Sequence, residues 1–338
     1  MNFLGIESSC DETSVAIISG NELKANLIAS QDFHSEYGGV IPELSSRAHL
    51  QIILPLLNQA LRKAGITKDE IDIISATAGP GLIGALLVGL TFAKGLAFSL
   101  NKPFVAVNHI EGHIFSGFLM NEKPQFPYLA LVVSGGHTLL LIVKNEMEII
   151  QLGTTIDDAA GEAFDKVAKM LGLGYPGGPK IQALAEKCRS TEITFPVART
   201  KNEFDFSFSG LKTSVLRFIQ SNYSNGIPEN EKSCIAKAFQ QAVVNALISR
   251  TEKVIKQFDV KSISVVGGVA ANKEIKTAFE NISNKFKKSL VIPSLEYCGD
   301  NAAMIALRGK QLYENGVRSP LNTNAFPSLP KNHFIKVG

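Results

Sequence analysis

Tyr128-Leu-Ala-Leu-Val-Val-Ser134-Gly135-Gly136-His137-Thr138-Leu-Leu-Leu-Ile-Val143 sets two apolar, β-rich runs on either side of a Ser-Gly-Gly-His-Thr turn. Runs of this kind around a short polar break read as a hairpin, and tandem glycines can take positive φ and let a ligand approach the backbone closely. Exposed amides at such a turn form a concave nest, and the hydroxyls of Ser134 and Thr138 add donors suited to phosphate oxygens. An ordinary tight hairpin is the competing reading of this stretch taken alone.

A second stretch has the same pattern. Phe3-Leu-Gly-Ile-Glu7-Ser8-Ser9-Cys10-Asp11-Glu12-Thr13-Ser14-Val-Ala-Ile-Ile18 aligns with it so that Ser9 falls on Ser134 and Thr13 on Thr138. A repeat of this length is no solenoid unit; it predicts two homologous halves that each open with a hairpin and face one another across a cleft. Two phosphate-gripping hairpins, one per lobe, resemble the actin-like ATPase fold shared by sugar kinases and heat-shock chaperones. The expected class is therefore α/β, a two-lobed actin-like architecture with duplicated lobes and a central cleft. Residues 1–108 form the first lobe and 109–338 the second, with a helical insertion over about 150–225 and a C-terminal tail returning toward the first.

The 338 residues exceed the usual size of one hydrophobic core, which also favours two lobes. With 45% hydrophobic and 19% charged residues and no low-complexity tract, the chain has the composition of a globular protein. A net charge of +3 does not by itself announce nucleic acid. Cys10, Cys188, Cys234 and Cys298 include no CxxC pair, which argues against a disulfide framework and a thiolate zinc site and predicts reduced thiols. The start lacks a secretory n-region, and the longest apolar run, Ala78 to Ala93, is short and glycine-interrupted, so it reads as a buried helix in a cytoplasmic protein without a membrane span.

Along the chain, Asn21–Ser30 completes a meander, Tyr37–Glu43 is a loop, and Leu44–Ala64 a helix carrying Arg47 and His49. Ile71–Thr77 is a buried strand, Gly79-Pro80-Gly81 turns it into a helix over Leu82–Leu100, and Phe104–Val107 is the next strand. That strand delivers Asn108-His109-Ile110-Glu111-Gly112-His113 at its carboxyl end, where α/β folds bind ligands. On a helix His109 and His113 share one face and suit a divalent metal; structural histidines are the alternative. A zincin needs its glutamate directly after the first histidine, whereas Glu111 sits two on and points elsewhere. Asp300, at a loop-to-helix junction, is the candidate third ligand or else a plain N-cap. Two histidines and one carboxylate leave coordination positions open, as Fe²⁺ and Zn²⁺ sites do.

After the second hairpin, Thr154–Leu171 reads as a capped helix running into the Gly/Pro loop Gly172–Pro179, with Asp165 placed to accept from a ribose hydroxyl; for Asp157, Asp158 and Glu162 surface solvation is the competing reading. Residues 195–217 interleave aromatics, hydroxyls and bases, which suits single-stranded RNA and a buried aromatic cluster equally. Ser262–Val266 is a buried strand, and Gly267-Gly268 and Asn272 let an adenosine lie against backbone and hydrogen-bond there.

Together these segments resemble the tRNA N6-adenosine threonylcarbamoyltransferase family, TsaD in bacteria, formerly described as O-sialoglycoprotein endopeptidases. The motifs are Gly5–Thr13, Tyr37–Glu43, Ala78–Gly81, His109–His113, Val133–Thr138, Asp157–Lys166, Tyr175–Pro179, Asp205–Lys212 and Gly267–Val269, covering nearly the whole chain. The resemblance implies transfer of a threonylcarbamoyl group from L-threonylcarbamoyl-AMP to N6 of the adenosine beside the anticodon, position 37, in tRNAs reading codons that begin with A. It implies one divalent metal on His109, His113 and Asp300, Fe²⁺ first, with Zn²⁺ or Mg²⁺ as alternatives. It further implies an adenylate, threonylcarbamoyl-AMP or ATP, on Ser134, Gly135, Gly136, His137, Thr138, Asp165, Gly178 and Asn272. Glu12, which could assist proton removal or orient a ligand, and His137 are the catalytic candidates, Lys212 and the 195–217 insertion those for tRNA, and a shorter paralogue (TsaB) and a small ATPase (TsaE) those for partners. Ser8, Ala270 and Gln182 depart from the usual residues, and Gln182, where some members carry aspartate, weakens a ribose contact there.

Overall fold

The computed structural model describes the chain apart from residues 38, 225, 331–332 and 337–338 and the side chains of 32, 35 and 36, so Gly38 of the Tyr37–Glu43 loop lies outside the described residues. Its first sheet begins with the repeated hairpin, β1 (Asn2–Glu7) and β2 (Glu12–Ser19), with Phe3 opposite Ile18 and Glu7 opposite Ser14. β3 (Glu22–Ser30) completes the meander. Then follow α1 (Pro42–Ala64), β4 (Ile73–Gly79), α2 (Ile83–Leu100), β5 (Phe104–Asn108) and α3 (His109–Phe115), giving the strand order β3-β2-β1-β4-β5.

The second sheet repeats the plan. β6 (Tyr128–Val133), β7 (Thr138–Val143) and β8 (Ile149–Thr154) form an antiparallel meander. Four helices intervene: α4 (Ala160–Met170), α5 (Gly177–Ala185), α6 (Ser209–Asn222) and α7 (Glu229–Gln257). β9 (Ser262–Val266) then joins β6 in parallel, and after α8 (Lys273–Phe286) β10 (Ser289–Val291) joins β9. Each sheet is thus a three-stranded meander extended by two parallel strands beside its first strand, which is the duplication read from the two polar turns. The chain closes with α9 (Leu295–Cys298), α10 (Ala302–Glu314) and β11 (Ile335–Lys336), which pairs with β8.

Two compact units result, Met1–Lys123 with Pro293–His333, and Pro124–Ile292 with Phe334–Gly338. The division falls after Lys123 rather than after residue 108, because α3 packs on α10 within the first unit. Strand alternation builds that unit's core: Leu4, Ile6, Val15 and Ile17 pack with α1 and α2, while Phe3, Ala16 and Ile18 pack with α10 on the other face. Gly5 is required there, since a Cβ would come within 2.5 Å of the Ala302 carbonyl oxygen and the Ala306 nitrogen.

Two expectations change. The apolar run Ala78–Ala93 reads as a buried helix, but α2, which carries its second half, is buried on one side only: Leu90, Ala93 and Ala97 enter the core while Leu87 and Phe98 are exposed, leaving an apolar groove of about 750 Å³ between α1 and α2. By length and composition alone, with mean hydropathy 1.8, α2 could cross a membrane, a property that core helices share. Nor are all four cysteines reduced. Cys188, just after α5, and Cys234, in the first turns of α7, form a disulfide across 46 residues, while Cys10 and Cys298 are not disulfide-bonded. The packing of α5 on α7 brings the pair together, and no local spacing could signal it.

Candidate functional site

The Asn108 side chain accepts hydrogen bonds from the Ile110 and Glu111 amides and so starts α3 directly at the end of β5. Four residues apart on that short helix, the His109 and His113 rings stand edge to face with centroids 4.7 Å apart. Asp300 comes from the other end of the sequence, one residue before Asn301, which caps α10 by accepting from the Met304 amide. Its Oδ1 lies 3.5 Å from His109 Nε2 and 3.0 Å from His113 Nε2. One donor atom from each residue falls within 4.8 Å of the others, so the three can share one metal ion.

Glu7, wholly buried at the end of β1, orients the first ligand. Its Oε2 is 3.1 Å from His109 Nδ1 and accepts from the Thr77 hydroxyl at 2.6 Å, and its Oε1 accepts from the Ser9 amide. A carboxylate on Nδ1 fixes the tautomer that leaves Nε2 for a metal. Burial would raise the Glu7 carboxyl, but the charge and hydrogen bond of His109 hold it below its ordinary value. Burial likewise pulls His109 down, yet Asp300 and Glu7 prevail and push it up to about 9. Two imidazole nitrogens and a carboxylate oxygen, one nitrogen preset by Glu7, fit Fe²⁺ or Zn²⁺.

Glu12 is pushed up to about 10, first by burial and then by Asp300 and Asp11, so in the metal-free protein it is a neutral acid rather than the ionised base expected of a proton acceptor. Thr13, at the start of β2, meets His49 of α1 at 2.7 Å, and burial lowers that imidazole. Arg47 pairs with Glu43 on the exposed side of α1. Glu111 is committed to Arg308 and His333. Burial would raise its carboxyl, but these two partners hold it below the ordinary range.

In the second unit the tip of β6–β7 closes through Ser134 N to the His137 carbonyl at 2.9 Å and His137 N to Ser134 Oγ at 3.1 Å. Gly135 and Gly136 do not take positive φ; glycine serves here to leave open space, since a Cβ on either would meet nothing within 4 Å. Thr138 is fully buried, and its hydroxyl accepts from the Ala160 amide at the start of α4. Gly161 fits beneath the tip, where a Cβ would come within 2.6 Å of the Ser134 carbonyl oxygen, and Gly267, at φ 96, passes against Val133.

The other adenylate candidates lie along the same run of loops. Asp165 Oδ1 accepts from the Gly177 amide at 2.7 Å, joining α4 to the start of α5; burial, chiefly, raises its carboxyl. Gly178 has open space at its Cβ position. Gln182 of α5 accepts from the Lys273 amide at 2.9 Å, beside Asn272. Asn272 itself is spent on structure: it caps α8 by accepting from Glu274 and Ile275 and donates to Gln240 at 2.9 Å.

The sequence matches the family model for tRNA N6-adenosine threonylcarbamoyltransferase, TsaD, over residues 22–307. Relatives of that name include proteins of Thermosipho africanus, 48% identical over 97% of this chain and 99% of theirs, and Carboxydothermus hydrogenoformans, 49% identical over 96% of each. The chain belongs to the TsaD family. Its fold is that of the actin-like ATPases: component A of (R)-2-hydroxyglutaryl-CoA dehydratase from Acidaminococcus fermentans matches with a TM-score of 0.54 at 15% identity over 93% of this chain and 97% of its own. HypF from T. kodakarensis matches with 0.63 at 15% identity, over 93% of this chain and 48% of its own.

Within this TsaD chain, three features escaped sequence reasoning. Glu7 was legible only as a charge ending a buried run. Asp157, read as solvated, accepts from Ser207 Oγ and the Phe208 and Ser209 amides and so organises the start of α6. Asp158 binds both Lys166 and Lys212, so the Lys212 ammonium, expected to meet tRNA, is held within its own unit.

Proposed function

We propose that this TsaD chain transfers the threonylcarbamoyl group of L-threonylcarbamoyl-AMP to N6 of adenosine 37 in tRNAs reading codons that begin with A, in the cytoplasm. The convergence of His109, His113 and Asp300, separated by nearly two hundred residues, is the observation that carries the reading. A kinase or chaperone of the same fold has no need of it. A metallopeptidase needs a glutamate at the metal to activate water, and Glu111 is engaged by Arg308 and His333 instead.

The reaction joins N6 to the carbamoyl carbon and breaks that carbon's bond to the phosphate oxygen, releasing AMP as N6 loses a proton. An exocyclic amine is a weak nucleophile, so positioning and stabilisation of charge on the carbonyl and leaving phosphate are the main tasks. In this reading the tip presents the Gly135 and Gly136 amides to the phosphate, and both glycines leave it room. Asp165 and Gly178 meet the nucleoside, and His137 takes the N6 proton. His109, His113 and Asp300 hold Fe²⁺, with Glu7 keeping His109 in register. When bound, the metal would supply a Lewis acid. The apolar groove between α1 and α2 supports assembly with a shorter paralogue of the same fold, TsaB, and the small ATPase TsaE completes the set.

The test uses the chain with its partner proteins, carbamoyl-labelled donor and tRNA. Label should appear in N6-modified adenosine of the digested tRNA and disappear with His109→Ala. Cleavage of a glycoprotein without label transfer would overturn the assignment.

A further inference from the structure

Beside the metal ligands lies an ionic cluster, built around the buried Arg308, that neither the donor set nor the adenylate loops use. Glu111 occupies the turn of α3 between His109 and His113. Arg308, on α10, gives its Nε to Glu111 Oε2 at 2.7 Å and its Nη2 to the same oxygen at 2.5 Å. The guanidinium is 3% exposed and lies 4.2 Å from the centre of the Phe115 ring, also on α3. Glu111 Oε1 is taken by His333 Nε2 at 2.7 Å, from the C-terminal segment of the same unit. Gly112 brings the two helices together, for a Cβ there would come within 2.9 Å of Ile305 Cδ1.

These contacts join the two elements that carry the metal ligands. α3 supplies both histidines, and α10 begins two residues after Asp300. Any slide of α3 along α10 would change the distances from Asp300 Oδ1 to the two Nε2 atoms. The fork of Arg308 on one oxygen, with His333 on the other, resists that slide at a point one residue from Gly112, where the helices touch.

We propose that Glu111 is a positioning residue for the metal centre, locking α3 to α10 through Arg308 and His333 so that the histidines and Asp300 meet at ligand spacing. The proposal rests on reading His109, His113 and Asp300 as metal ligands. Outer partners that orient ligands typically change metal affinity by about 10- to 100-fold when removed.

The experiment titrates Co²⁺ into the metal-free full chain and follows its visible d–d absorption. Glu111→Gln and Arg308→Leu should each weaken Co²⁺ binding by about 10- to 100-fold and alter the band pattern. Arg308→Lys should recover part of the affinity. Leu312→Ala, farther along α10, should lower the melting temperature with affinity and spectrum unchanged. Should Glu111→Gln fail to fold, His333→Ala carries the test, with an expected weakening of a few-fold at intact circular dichroism. Affinities within twofold of the parent and unchanged spectra in the folded variants would overturn the role of Glu111 alone. A parent chain that takes up no Co²⁺, Fe²⁺ or Zn²⁺ would overturn the metal reading as well.

Discussion

The two hairpins that align in sequence have different surroundings in the structure. At the β1–β2 turn Ser9 is buried, its hydroxyl 3.1 Å from His109 Nδ1, and Gly81 presses so closely that a Cβ would come within 2.5 Å of the Ser9 carbonyl oxygen. At the β6–β7 turn Gly135 and Gly136 are exposed with open space beside them. The threonine after each turn is buried in both cases, one meeting His49 and the other the amide of Ala160. Duplication therefore kept the strand register and the inward threonine while the tips diverged, one toward a charged network around His109, the other toward an open, exposed turn.

The contrast breaks most severely at the ligands. His109→Ala or Asp300→Ala should eliminate stoichiometric metal and all detectable transfer while leaving nucleotide binding by the second unit intact, as read by metal analysis and adenylate titration. Next, Glu7→Gln should weaken Co²⁺ binding by about 10- to 100-fold, because His109 loses the carboxylate that sets its tautomer. At the open tip, Gly135→Val should weaken adenylate binding by about tenfold, equivalent to one lost hydrogen bond to a charged group, with no change in melting temperature.

A pH series sharpens the same contrast. His109 is raised to about 9 in the metal-free fold, above its unfolded value, so its stabilisation is complete below about pH 6.5 and is lost as pH rises through 9. Glu12, raised to about 10, acts in the same direction, since the fold disfavours its ionised form above the unfolded carboxylate value. The metal-free chain should therefore lose thermal stability between pH 6.5 and 9, and metal uptake near pH 7 should release a proton from His109. A pH-independent melting temperature over that window would contradict the network. The smallest effects concern glycine. Gly81→Ala should cost about 1–3 kcal/mol through overpacking against Ser9, whereas Gly136→Ala should leave stability unchanged, as denaturant midpoints would show.

Much of this was legible in the sequence. Apolar runs punctuated by Gly and Pro located the strands and helices, and the paired polar turns disclosed the duplication. His109 and His113 were legible because four-residue spacing on a helix puts both on one side, and Asp300 because it opens a helix at a loop. What stayed hidden depends on packing between distant segments. Whether a polar turn is open or covered is decided by Gly81, more than sixty residues downstream of the first turn. The Cys188–Cys234 bond depends on α5 meeting α7, and the engagement of Asn272 and Thr138 depends on helices whose amides they cap.

Threonylcarbamoyl transfer itself is tested most directly by mass spectrometry of tRNA nucleosides from cells depleted of this chain and supplied with either the parent or His109→Ala. Threonylcarbamoyladenosine should fall on depletion, return with the parent and stay absent with the variant. An unchanged level of the modified nucleoside after depletion would contradict the assignment.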